Sequence, residues 1–142
     1  VDTLDQQLIA LLKVNARLPV VKMAKALGCA RSTVQLRLKA LEESGAITGY
    51  TVSLARRRAD DVNALVLIAV ASQSEPDVVH TLSRRHEVSK LYSVSGRYDL
   101  CAMVHAETTE EIEQVINRVR AVKGVTDTLT TMLLSTKVDR PE

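Results

Sequence analysis

The sequence predicts an α+β protein built from two modules, and three observations predict it. Residues 1–50 carry apolar side chains at helical spacing, interrupted by Pro19 and Gly28 into three short segments. Residues 62–142 alternate apolar runs with amphipathic stretches in the order βαββαβ. Charge divides at the same place: residues 1–50 hold seven Lys and Arg against four Asp and Glu, whereas residues 62–142 hold nine against eleven. A basic front and an acidic back suit modules with different partners. Between them, residues 51–61 include "ARRRADD", which has no large apolar group and reads as a linker.

The first helix is expected over 3–15, with Leu4, Leu8, Leu11 and Leu12 on one stripe and Thr3 with Gln6 as a capping pair. A second spans roughly Val20–Leu27, opened by Pro19 and stopped by Gly28. A third runs from Arg31 to Ser44, its apolar stripe formed by Val34, Leu38 and Leu41. Three residues separate the second helix from the third, which is the pattern of a helix-turn-helix. "GAITGYTVSL" alternates loosely and reads as a strand, a candidate wing; Tyr50 within it reads as a packing residue.

In the back module, residues 64–71 read as a buried strand and "SEPDVVHTLSRR" as a helix capped by Ser74, with Pro76 in its first turn. Strands at 88–94 and 100–105 follow. Thr108 with Glu111 marks a capping box for a helix striped by Ile112, Val115, Ile116 and Val119, ended by Gly124; Val125–Leu134 is the last strand. This is the split βαβ, ferredoxin-like order. Both helices would cover one sheet face, leaving the other for a second copy of the chain.

Two places carry chemistry. At roughly 100° per residue, Ser32, Gln35, Leu36 and Lys39 fall opposite the buried stripe of the third helix. Gln35 suits an adenine edge, Leu36 a thymine methyl, and Ser32 several edges. Arg31, Arg37 and Lys39, with the helix N-terminus near Thr33, suit phosphates. The competing reading is a basic amphipathic helix in an ordinary three-helix domain. The second place is "SGRYD", Ser95–Asp99, a polar knot between two apolar runs. A tight turn needs only Gly and one polar neighbour. The additional Arg97, Tyr98 and Asp99 fit either the wall of a small-molecule site or a tied turn with Tyr98 packed at a subunit contact.

Other chemistries find little support. Cys29 and Cys101 lie far apart with no Cys or His at ligand spacing, so they read as two free thiols in a reducing cytoplasm, with no metal and no cofactor expected. His80, His86 and His105 are not matched by a placed nucleophile or a phosphate loop, so no enzyme is expected. No apolar run approaches the roughly 18–20 residues of a membrane span, and Val1 opens directly into a charged, helix-like segment with no visible signal peptide.

The string "LDQQLIALLKVNAR…MAKALGCARSTVQLRLKALEESGAITGY" resembles the DNA-binding half of the Lrp/AsnC family, the leucine-responsive or feast/famine transcription regulators of bacteria and archaea. "SGRYDL" and "VKGVTDTLTTMLL" resemble that family's ligand-sensing domain, so the resemblance covers nearly the whole chain in order. It implies a homodimer assembled further into octamers or related rings, bound to double-stranded DNA, with an amino-acid effector held between dimers. It implies effector contacts at Gly96 and Asp99, which match a G-x-x-D loop, at Tyr98 between them, and at Thr128 and Thr130, which match a Thr-x-Thr in the last strand. Asp99 would take the ammonium, and backbone amides near Gly96, or Arg97, the carboxylate. The chain departs from the pattern at Ala30, where a capping Ser is usual, at Pro19, likewise, and at the basic Arg56–Arg58. The last suits additional phosphate contacts, as would an effector-independent architectural DNA-binding protein, the alternative function.

Overall fold

The computed structural model describes residues 1–53 and 61–139, which form two compact units. Most of the expected linker, including Arg56–Arg58, lies outside the described residues.

The first unit contains α1 (Thr3–Val14), α2 (Val20–Leu27) and α3 (Arg31–Glu43). Leu8, Met23, Ala24, Val34 and Leu41 form its buried core, with Leu38 and Ile47 packed against it. The cap of α1 differs from expectation. Asp2, not Thr3, is the N-cap: its Oδ1 accepts from the Asp5 N–H at 3.0 Å, and Asp5 Oδ2 accepts from the Asp2 N–H at 3.1 Å. A carboxylate one residue earlier meets the same i, i+3 spacing and is a better cap than Thr. Gly28 ends α2 in the left-handed conformation at φ 66°, turning the chain through Gly28–Ala30 into α3. The expected strand after α3 is absent: residues 44–53 are turns, bends and irregular backbone. The Ile47 N–H instead donates to the Leu41 carbonyl at 2.9 Å, and this unit has no other strand among its described residues for a ladder.

The second unit runs β1 (Val62–Val70), α4 (Glu75–Ser83), β2 (Val88–Ser93), β3 (Leu100–Ala106), α5 (Thr109–Arg120) and β4 (Val125–Leu133). The four strands form an antiparallel sheet in the order β2-β3-β1-β4, the ferredoxin-like arrangement. Ala64, Val66 and Ile68 of β1 face Val78 and Leu82 of α4 and Ile112, Val115 and Val119 of α5 in one core. Alternate residues face the other way. The register places Tyr92, Cys101, Leu67 and Leu129 in one cross-strand row on that second face. Tyr92, Leu129 and Leu133 there are about half exposed. Ser74 occupies the N-cap of α4 without a side-chain hydrogen bond. Thr108 Oγ1 does accept from the Glu111 N–H, but Glu111 reaches back one residue further than a capping box requires, to the Glu107 N–H.

Candidate DNA-binding and ligand-binding sites

Helix α3 starts without a side-chain cap, because Ala30 offers no acceptor. Its carbonyl accepts from the Thr33 and Val34 N–H groups, leaving the Arg31 and Ser32 end of the helix open to an anion. Val34 and Leu41 are buried, while Arg31, Ser32, Gln35, Leu36 and Lys39 are exposed and Thr33 is partly so. Leu36, at 70% exposure, is an outward apolar side chain between two polar ones. Lys39 Nζ stands 3.7 Å from Glu43 in an exposed i, i+4 pair.

Arg37 is placed differently from its neighbours. Its Nη1 donates to Asp2 Oδ2 and, at 3.3 Å, to Asp5 Oδ1, so its guanidinium is held on the cap of α1. The Asp2 carboxyl is held below its usual range, first by the Asp5 N–H and then by Arg37; Asp2 in turn raises the Arg37 pKa. Tyr50, expected to pack, instead donates its hydroxyl to Glu42 Oε1 at 2.7 Å while remaining half exposed, and this bond raises its pKa.

In the second unit the polar knot follows β2 and leads into β3. Gly96 has φ 119°, a conformation that disfavours any Cβ; the space around it is open, so conformation and not crowding calls for glycine. Asp99 closes the turn. Its N–H donates to the Ile68 carbonyl at 2.9 Å, its carbonyl accepts from the Val94 N–H at 2.9 Å, and its Oδ2 accepts from the Val70 N–H at 2.8 Å. That last bond satisfies a backbone donor where the β1–β4 pairing shifts register between Ala69 and Val70. Arg97 projects outward at 82% side-chain exposure, stacked 5.6 Å over the Tyr98 ring and 4.0 Å from Asp127 Oδ2. Ser95 is exposed.

Thr128 lies at the same end of the sheet, opposite Ile68, and its Oγ1 accepts from Arg120 Nε at 3.1 Å. Thr130 lies two residues farther from the knot, opposite Val66, with Oγ1 buried and unpartnered among the described residues. Sequence reading missed Asp127 and Arg120. Both line a shallow recess of about 330 Å³ with Val125, Thr126 and Thr128. Asp127 beside the Thr-x-Thr was the available signal.

Comparison with known proteins places both units. Residues 1–42 match the AsnC-type helix-turn-helix domain, and residues 63–142 match the Lrp/AsnC ligand binding domain. The HTH-type transcriptional regulator FL11 of Pyrococcus furiosus is 27% identical over 99% of this chain and 94% of its own length. The HTH-type transcriptional regulator LrpA of Pyrococcus abyssi is 30% identical over 94% and 96%. The solved structure of AsnC from E. coli superimposes with a TM-score of 0.91 at 24% identity, covering 99% of this chain and 96% of that one. A transcriptional regulator from Neisseria meningitidis, solved as an L-Met complex, gives 0.89 at 19% identity over 99% and 94%. The first unit thus carries the helix-turn-helix domain and the second the ligand binding domain of a transcriptional regulator, and the chain belongs to the Lrp/AsnC family.

Proposed function

We propose that this regulator binds double-stranded DNA through Arg31, Ser32, Thr33, Gln35, Leu36 and Lys39, and that an amino acid bound at the knot tunes its assembly. Arg37 supports the DNA-reading helix from behind; it is not one of its free phosphate contacts. The observation that carries the effector reading is the pairing of exposed opposite charges at one sheet end: Arg97 stands 4.0 Å from Asp127, beside Asp99, Tyr98 and Thr128. An amino acid presents one carboxylate and one ammonium, and such a pair can be exchanged for both. The Neisseria relative was solved with L-Met, which favours the same class of ligand. The open sheet face takes a second copy of the chain, and an octamer or related ring is the further step. A ligand that favours one assembly over another shifts their balance and with it the spacing of the DNA-reading helices. The protein acts in the cytoplasm and carries out no turnover.

The test is a thermal-shift screen of the full chain against the twenty amino acids, repeated on two variants. One or a few related amino acids raise the midpoint by mass action. Asp99→Asn keeps an acceptor for the Val70 N–H and removes the charge, so its unliganded midpoint stays near wild type while the shift is lost. Asp99→Ala loses both, at a cost of about 1–3 kcal/mol for the stranded N–H. A wild-type chain that responds to no amino acid, or an Asp99→Asn chain that responds fully, sinks this reading of the knot.

A further inference from the structure

At the other end of β3 from the knot, about 17 Å along the strand, the second unit holds a crevice of about 600 Å³. His86 and Glu87 line it from the segment after α4, His105 and Glu107 from the end of β3, and Gln114 and Arg118 from α5. Glu87 is its unusual member. It is 92% buried, the reverse of the ordinary placement of Glu. Its Oε1 accepts from Arg118 Nη1 at 2.8 Å, but its Oε2 is inaccessible and accepts no hydrogen bond from the described residues. His86 Nδ1 lies 3.5 Å from Oε2, on an imidazole that is 90% exposed. His105 Nδ1, in the same crevice, is buried and equally unpartnered. A buried carboxylate oxygen left without a donor is costly unless one arrives from beyond the described residues.

The charges around them define the donor. Asp61, Glu107 and Glu111 join Glu87 in the wall, against Arg118 as the one permanent cation among the described lining residues. Arg118 is engaged at both ends, by Glu87 through Nη1 and by Gln114 Oε1 through Nη2 at 3.5 Å. The crevice therefore offers acceptor oxygens and negative charge to an N–H cation, and among the described lining residues its one Arg is already engaged. It is also a poor metal site, since no three His, Cys, Asp or Glu side chains converge among the described residues. We infer that this crevice binds a small alkyl amine, its primary ammonium drawing the unpaired carboxylate oxygen of Glu87 outward to accept from it and its chain lying along Val115. The volume lies in the range of small-molecule sites. The site is separate from the knot and does not depend on the amino-acid reading.

Calorimetric titration of the full chain with 1,4-diaminobutane tests this, in about 0.15 M salt so that diffuse surface attraction is screened beyond about 8 Å. Saturable binding of one amine per chain is expected. Glu87→Gln keeps an oxygen for Arg118 but removes the charge, and should abolish binding. Should that buried change unfold the unit, Glu107→Lys places a cation on an exposed lining position and should weaken binding at least about tenfold through like-charge repulsion. Asp99→Asn, at the knot, should bind the amine as wild type does. The inference is overturned if wild type gives no saturable heat, if tetramethylammonium (which has no N–H) binds as well, or if folded Glu87→Gln and Glu107→Lys both bind undiminished.

Discussion

The Arg37 guanidinium bridges Asp2 and Asp5, the two residues that cap α1 reciprocally, and so ties α3 to the first turn of α1. From residue type alone Arg37 belongs with Arg31 and Lys39 as a phosphate contact. Its angular position places it on the flank of α3 that meets α1, where two carboxylates are already held. The consequence is a pH dependence with a definite sign. Asp2 has its pKa lowered from 3.8, so its contribution is fully present above that value and fades as pH falls through the lower, folded-state one. Circular dichroism melts from about pH 6 downward should show the wild-type midpoint approaching that of Asp2→Asn only once the pH falls below 3.8. Both partners are exposed, so about 1 M salt should shrink the difference. A gap that does not change with pH would mean that the carboxylate charge contributes nothing. Asp99 illustrates the same point in the other unit: a residue singled out for its charge also does backbone work, closing the end of β1 through Val70, and only a substitution that separates charge from acceptor capacity can tell the two tasks apart.

Elements were legible in the sequence wherever one local rule was sufficient. Apolar periodicity located every helix and strand of the second unit to within a few residues, because each buries one face on a shared core. The knot was legible because it interrupts two apolar runs. What was missed required information from elsewhere in the chain. "GAITGYTVSL" has strand-like alternation but no second strand in its unit to pair with, and Arg120 and Asp127 meet Thr128 and Arg97 only after the sheet has formed. Gly124 shows the same limit. It reads as a helix stop, and at φ 100° it does turn the chain into β4, yet it also makes a packing contact that the sequence does not announce. A Cβ there would lie 2.6 Å from Ser74 Cβ and 3.2 Å from Val78 Cγ2. Gly124→Ala must therefore strain the backbone and displace the start of α4 together. Denaturant unfolding should report a loss of about 2 kcal/mol or more. An unchanged midpoint would mean that α4 shifts without cost.

At the scale of the whole molecule, the chain builds two separate cores and leaves one large surface unfinished. The first core is closed by three helices around Leu8; the second is closed on one side of its sheet only. On the other side Leu65, Leu67 and Met103 are partly buried by their neighbours, while Tyr92, Leu129 and Leu133 stand about half exposed. A contiguous apolar face of this kind favours association, and an isologous pairing would bring the same row of residues from two copies together. Leu129 tests this best, because it lies on an edge strand, is not part of the helix-side core, and sits in the row with Tyr92, Cys101 and Leu67. Leu129→Arg should leave the unit folded, with an unchanged far-ultraviolet spectrum, and should convert the assembly to monomer in sedimentation at micromolar concentration, since two unpaired guanidinium groups would have to be buried face to face. Leu129→Ala should weaken that proposed pairing without abolishing it. DNA affinity should fall with the dimer, because two DNA-reading helices held by one assembly bind neighbouring half-sites at a high effective concentration that separate chains lack. If Leu129→Arg sediments as wild type does, copies of the chain do not pair through this face.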